Sequence, residues 1–267
     1  MQQITTGKTS RSGNKPAVLI TGVSRKIGIG YALARTLARA GWNIGFTYYR
    51  DYDEQMPWGS RPEDVEDLIQ ELKGYGAAVC SQPADLADPE EPRRVIREVR
   101  DNLGPLSALV MSHCYSVDST IQDTSLESFE RHFRVNTRAT WLLIREFSRL
   151  FAGTFGTGRI VAITSDHTAG NMPYGASKGA MDRIVLAAAQ ENRSRGITAN
   201  VINPGATDTG WMTPALEQQI RRNTFLNRIG TPQDCANLVE FLCSDRGCWI
   251  NGQVLYSNGG VEPGAGG

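Results

Sequence analysis

Tyr174 and Lys178 stand four residues apart, and Ser165 precedes Tyr174 by nine. Residues four apart share one face of a helix, and Pro173 suits a helix's first turn. A phenol, an ammonium and a hydroxyl gathered in this way form a proton-transfer constellation. A free phenol titrates near ~10, too high to trade protons readily at neutral pH. A nearby ammonium favours the phenolate and is expected to lower that value, each unit being about 1.4 kcal/mol of differential interaction. Ser165 is then placed to hydrogen-bond a carbonyl oxygen as it gains charge, and Tyr174 to give it a proton.

The elements that must position these groups follow from the surrounding pattern. An apolar run from Gly158 reads as a strand ending at Ser165, a short polar loop follows, and a helix begins near Pro173. Towards the N-terminus, Ala17 to Ile20 is an apolar run fit for a strand buried on both faces. It leads into a loop holding Gly22, Gly28 and Gly30, then a helical stripe through Ile29, Leu33 and Leu37 that closes at Gly41. Strand, glycine loop, helix is the context in which backbone amides attract a pyrophosphate. The residues expected there are Gly22, Ser24, Arg25, Lys26, Gly28 and Ile29. A Tyr-x-x-x-Lys pair arises by chance roughly 0.15 times in a chain of this composition, so the pair gains weight from the set it belongs to.

That set resembles the short-chain dehydrogenase/reductase family, and within it the β-ketoacyl reductase-like members, over about residues 16–260. The resemblance implies a doubly wound Rossmann-type α/β domain, with a mainly parallel seven-stranded sheet in the order 3-2-1-4-5-6-7. It implies a catalytic set of Asn136, Ser165, Tyr174 and Lys178, in which Lys178 also holds the nicotinamide ribose and Asn136 holds a water that links Lys178 to solvent. It implies adenine contacts from Asp85 and Leu86, a cofactor contact from Ser112, and nicotinamide contacts from Pro204, Gly205, Thr207 and Thr209. An Asn is also a poor helix-interior residue on its own chemistry, which marks Asn136 within Arg-Val-Asn-Thr.

The chain departs from the family in three places. The glycine loop is two residues longer between Gly22 and Gly28. The usual Asn-Asn-Ala-Gly is Met111-Ser112-His113-Cys114, where a satisfied structural role suits His113. The loop between Ser165 and Tyr174 is about one helical turn shorter.

Cofactor choice is read at the end of the second strand, Trp42 to Tyr48. The position that carries Asp in NAD-preferring relatives is Tyr48, and Arg25, Lys26 and Arg50 surround it. Three cations with no acid at the strand end favour NADP(H), since a cation suits a 2′-phosphate and an acid a 2′-hydroxyl. Asp51 and Asp53 nearby keep NAD(H) as the alternative.

Between these landmarks, residues 51–61 read as a polar loop and Ser60 with Glu63 as a capping box. Ala77 to Cys80 reads as the third strand, Leu106 to Met111 as the fourth, and Thr124 with Glu127 as a second capping box before one long helix. Residues 206–228 read as a lid whose apolar content suits an apolar or acyl-bearing substrate, with His167, Trp211 and Met212 as substrate contacts. Residues 1–15 and 261–267 read as flexible tails.

Composition narrows the function classes. Lys plus Arg equals Asp plus Glu at 28 each, so no charge footprint marks a nucleic acid or an acidic membrane as partner. No apolar run approaches the ~20 residues that span a bilayer, and the first residues lack the apolar core of a signal peptide. Five scattered cysteines without Cys-x-x-Cys suggest reduced thiols in the cytoplasm. Three His without ligand spacing give no reason to expect a catalytic metal. The expected protein is an NADP(H)-dependent oxidoreductase that interconverts a ketone and a secondary alcohol, in the reductive direction, with a small-molecule substrate. The resemblance implies a homo-oligomer, dimer or tetramer. The competing readings are a non-catalytic dinucleotide-binding regulator, which would tolerate a broken catalytic set, and a lyase or epimerase, which would want extra acids or a larger substrate domain.

Overall fold

A computed structural model describes residues 15–261. Both expected tails therefore lie almost wholly outside the described residues. Seven strands form one sheet: β1 (Ala17–Thr21), β2 (Asn43–Tyr48), β3 (Val79–Pro83), β4 (Leu106–Met111), β5 (Arg159–Ile163), β6 (Thr198–Asn203) and β7 (Val254–Tyr256). Their order is β3-β2-β1-β4-β5-β6-β7, and every pairing is parallel. The order expected from the resemblance is the order observed.

The central strands are largely apolar because both faces of the sheet are covered there, whereas the edge strand β3 (Val-Cys-Ser-Gln-Pro) is only partly buried. In β1 the period-2 alternation divides one strand between two cores. Val18 and Ile20 join Leu33 and Leu37 of α1 (Ile29–Arg39), Leu68 and Leu72 of α3 (Pro62–Gly74), and Val239 of α9 (Pro232–Cys243). Ala17 and Leu19 join Val95 and Val99 of α4 (Glu91–Leu103), Leu143 and Phe147 of α6 (Ala139–Leu150), and Val185 of α7 (Met172–Glu191). Fully burying each such large side chain contributes about 1.5–3 kcal/mol.

The chain passes from β3 at one edge to β4 beside β1, so connections leave β1 and β4 in opposite directions. A crevice opens at the carboxyl ends of these two strands, the usual ligand position in an open α/β sheet. Gly22 lies there at φ +77°, and a Cβ on it would meet the backbone of His113 at 2.6 Å.

Several local expectations are corrected. Residues 51–61 are not all loop: Arg50–Gln55 forms α2, with acids in its first turn that suit a helix N-terminus. The N-cap of α3 is Arg61, with Pro62 opening the helix and no side-chain cap, so the Ser60/Glu63 box is not made. The third strand lies later than expected, at Val79–Pro83, because β2 pairs from Ile44↔Val79 onward. The cap before the next helix is Ser125, which accepts a hydrogen bond from Ser128 N, not Thr124.

The long helix is also divided. α5 (Leu126–His132) passes through a π-helical stretch (Phe133–Arg138) into α6. Asn136 sits in that stretch, where a wider turn frees space for a side chain that a regular helix disfavours. Between α7 and α9 lies α8 (Pro214–Asn223).

Candidate active site

Ser165 follows β5 directly, and Tyr174 and Lys178 stand on successive turns of α7. A sharp approach between loop and helix brings the three together. A Cβ on Gly175 would lie 1.9 Å from the His167 carbonyl oxygen, so only glycine lets the short loop fold against the first turn of α7. Ser165 Oγ accepts the His167 N–H at 3.2 Å and shares a hydrogen bond with the Tyr174 hydroxyl. Lys178 is buried, donates from Nζ to Ile163 O at 2.8 Å, and holds Nζ 5.8 Å from the Tyr174 ring centre.

The electrostatics differ from the sequence expectation. Burial raises the Tyr174 phenol well above the usual tyrosine value, and the Ser165 hydrogen bond opposes this without overcoming it. Burial also lowers the Lys178 ammonium. The expectation was a phenol made more acidic by its lysine. The reason it fails is that the ammonium is committed to the Ile163 carbonyl while the phenolate would have to form without water.

Asn136 lies behind this group, fully buried. Its Oδ1 accepts from Tyr115 N at 2.7 Å, and its Nδ2 donates to Tyr115 O and to Ser177 Oγ, both at 2.9 Å. One amide thus ties the segment after β4 to α7, one residue before Lys178. His113 ties two strand ends: Nδ1 accepts from Thr21 Oγ1 at 2.6 Å and Nε2 donates to Val135 O at 3.1 Å. Burial pushes its pKa down to about 3, so it is a neutral structural histidine, as its chemistry suggested.

A cavity of about 650 Å³ runs from Asp85 and Leu86, past the glycine loop, to Ser165, Tyr174 and Lys178. Gly22, Ser24, Arg25, Gly28 and Ile29 line its middle; Ser112, Pro204, Gly205, Thr207 and Thr209 line the catalytic end. His167 and Trp211 join that end, with the Trp211 indole donating to Thr207 O at 3.2 Å. The cavity fits a dinucleotide on a direct observation. Glycines without side chains meet the start of α1, where unpaired amides and the helix dipole favour phosphate.

Asp85 is less free than expected. It accepts from Ala87 N at 2.9 Å and pairs with Arg131 at 3.3 Å.

Three expected contacts do not reach this cavity. Lys26 turns away, its backbone N–H on Asp64 and its ammonium 3.1 Å from Asp67. Arg50 opens α2, lies over the Tyr48 ring at 5.8 Å and lines a smaller pocket beside the cavity that shares Tyr48, Tyr49 and Asp85 with it. Met212 is not part of the cavity wall. Sequence reasoning also missed Tyr52 and Trp58, which α2 and the turn after it carry over the cleft, and Cys114 and Tyr115 beyond β4; Asp53, weighed from sequence only as a nearby acid, lines the cavity too. The acids opening α2 and the aromatic pair Tyr52 and Trp58 were the available signal.

Asp53 changes the charge inventory most. It is 5% exposed, and its Oδ1 accepts the Trp58 indole N–H at 2.9 Å and lies 3.3 Å from Arg25 Nε. The expectation of cations with no acid at this end of β2 is therefore corrected.

Comparison with known proteins agrees with this architecture. The model of the enoyl-(acyl carrier protein) reductase family matches residues 22–262. The uncharacterized oxidoreductase YjdA of Bacillus subtilis (strain 168) is 34% identical over 247 residues, covering 91% of this chain and 95% of that protein. The NADPH-dependent aldehyde reductase-like protein, chloroplastic, of Arabidopsis thaliana is 32% identical over 254 residues, covering 91% and 92%. A short chain dehydrogenase from Burkholderia cenocepacia J2315, solved in complex with NADP, superposes with a TM-score of 0.82 at 30% identity, covering 92% of this chain and 97% of that one.

Proposed function

This chain belongs to the short-chain dehydrogenase/reductase family of oxidoreductases, and on that footing we propose that it interconverts a ketone and a secondary alcohol with NADP(H), working as a reductase. The observation that carries the reading is the meeting of Ser165, Tyr174 and Lys178 at one end of a cavity whose middle is a glycine loop at a helix start. NADP(H) is supported by Arg25 in the cavity wall and by relatives described with NADPH and NADP.

The bound nicotinamide would supply or accept hydride. The chain's own residues do the rest. Gly22, Ser24, Gly28 and Ile29 cradle phosphates; Asp85 and Leu86 border the adenine; Ser112, Pro204, Gly205, Thr207 and Thr209 flank the nicotinamide. Ser165 Oγ steadies the carbonyl oxygen. Tyr174, kept neutral by burial, is a phenol that still carries the proton a reductase must deliver. Lys178 holds the nicotinamide ribose and the β5 end, and Asn136 keeps α7 in register with the segment after β4. Trp211 and His167 form the substrate wall, and residues 206–228 close over it as a lid. The apolar wall suits an apolar or acyl-bearing carbonyl compound.

A homo-oligomer, dimer or tetramer, in the cytoplasm completes the reading. It is supported by five unpaired thiols and by Trp249, which is 95% exposed. No helix among the described residues is long and apolar enough to cross a membrane.

The test is a panel of ketones and aldehydes with NADPH, and of alcohols with NADP, followed by nicotinamide absorbance. Cofactor-dependent turnover of at least one ketone is the expected result. Binding of cofactor with no turnover of any carbonyl or alcohol would favour the regulator instead.

A further inference from the structure

The segment between β2 and α3 crosses the mouth of the cavity. α2 and the turn after it supply Tyr52, Asp53, Met56, Pro57 and Trp58 to the wall. Three attachments hold the segment there. The Tyr52 hydroxyl donates to Ser116 O at 2.9 Å, and its ring lies 5.4 Å from the Tyr115 ring. The Trp58 indole donates to Asp53 Oδ1 at 2.9 Å, with the Arg25 guanidinium 4.6 Å from the Trp58 ring centre. Arg25 Nε lies 3.3 Å from Asp53, and its Nη1 donates to Thr209 O at 2.9 Å. The glycine loop, the segment after β4 and the segment after β6 are thus joined over the cleft through one short helix.

These attachments are polar or ring contacts at the cleft itself. Of the described residues 49–61, none joins either hydrophobic core, and Asp53 alone of α2 is buried. By contrast, α1 and α3 each place two leucines in the core, Leu33 and Leu37, and Leu68 and Leu72. An element held without core packing opens at a small part of the cost of global unfolding. The backbone on either side suits a hinge. Tyr49 before α2 is extended, at φ −145°, and its N–H is fixed to Ser24 Oγ at 3.2 Å. Gly59 after α2 stands at φ +66°, with nothing but its own neighbours within 4 Å of where a Cβ would be.

We propose that residues 50–58 form a strap that must lift for a dinucleotide to enter or leave, so that α2 sets the rates of cofactor exchange and not the affinity. This inference rests on the reading that the cavity takes a nicotinamide dinucleotide. The cavity beneath the closed strap is continuous from Asp85 to Tyr174, so closure is compatible with an occupied cleft. A dinucleotide cannot thread lengthwise beneath a bar fixed at both ends; it has to be laid in and lifted out. Loosening a strap that closes equally over the empty and the filled cleft speeds entry and release by the same factor. Their ratio, the Kd, stays where it was.

The test has two arms. Hydrogen exchange in the ligand-free full-length protein reads the strap alone. The amides of Met56 and Gly59, which donate to Asp53 O and Met56 O, should exchange by local opening, about a hundredfold or more faster than those of β1. Exchange no faster than that of β1 overturns the inference. Stopped-flow mixing with NADPH, followed by the fluorescence of the bound nucleotide, then reads entry and release in the unmodified protein, Tyr52→Phe and Trp58→Phe. Tyr52→Phe removes the donor to Ser116 and keeps the ring. Trp58→Phe removes the bond to Asp53 and leaves a ring beneath Arg25. Each should raise both kon and koff by about fivefold, the effect of one lost hydrogen bond, with Kd within about twofold. A segment that served only as cavity wall would lose contact with the nucleotide, so koff and Kd would rise together while kon stayed level. That result, or unchanged rates in both variants, overturns the inference. If the unmodified protein binds no NADPH, the cofactor reading falls and the gate with it, even where hydrogen exchange shows a loose strap.

Discussion

The ammonium of Lys178 lies 5.8 Å from the centre of the Tyr174 ring yet donates its hydrogen bond to the carbonyl of Ile163 at 2.8 Å. Lysine and tyrosine share a helix face, but the lysine anchors the end of β5 and leaves the phenol's partner to be Ser165. If Tyr174 is the proton donor, Tyr174→Phe removes the hydroxyl without disturbing this anchor. Ketone reduction should fall by about a hundredfold or more, while the affinity for NADPH, measured by titration, stays within about threefold. Near-normal turnover would remove Tyr174 from the mechanism.

The direction of the Tyr174 shift carries a pH dependence. Burial raises its pKa above the ordinary value near ~10, so the phenol stays protonated through the neutral range. Reduction, which consumes that proton, should be level from neutral to mildly alkaline pH. Oxidation of the alcohol, which needs the phenolate, should climb with pH over the same interval. Steady-state pH–rate profiles in both directions check this, and oxidation that is already level at neutral pH would count against it.

Gly175 gives a test of positioning that leaves the chemical groups in place. A Cβ there would stand 1.9 Å from the His167 carbonyl oxygen, and backbone must move to admit it. Gly175→Ala should lower kcat by roughly tenfold to a hundredfold, since small misplacements of reacting groups cost that much. Circular dichroism should report an intact fold. An unchanged kcat would show that the loop holding Ser165 and His167 has slack.

His113 couples stability to acidity. Its folded pKa is about 3, held down by burial, against about 6.5 in an unfolded chain. Between those values the unfolded state binds the extra proton, so stability is full above about pH 6.5 and declines as pH falls towards 3, by up to about 1.4 kcal/mol per unit. Urea denaturation at several pH values should show this slope, and His113→Gln should flatten it by about one proton's worth. An identical slope in the variant would place the acid sensitivity elsewhere.

The sheet was largely legible because its signals are local. The apolar run of β4 ended where the strand ends, at Met111, and the glycine loop led into α1 as its spacing indicated. The site was legible where function depends on helical spacing, as for Tyr174 and Lys178, or on a residue that a helix disfavours, as for Asn136. It was not legible where side chains choose among partners in space. Lys26 belongs to a glycine loop by sequence but finds Asp67 on α3. Asp53 looks like one acid in a polar run, and only the return of α2 over the cleft brings it to Arg25. The Tyr174 shift was misjudged because neighbouring charge can be read from spacing, whereas dehydration depends on the walls that surround the group.

The widened turn at Phe133–Arg138 makes the number of residues in this helix matter more than their identity. Removing a single residue from that stretch would let the turn tighten into an ordinary one. The widened turn holds one residue more than an ordinary one, so the helix on either side would keep its face and Leu143 and Phe147 would stay on the sheet. Asn136, inside the stretch, would lose its place opposite Tyr115 and Ser177. A one-residue deletion here would thus be felt at the base of Lys178, although no residue that touches substrate had been altered.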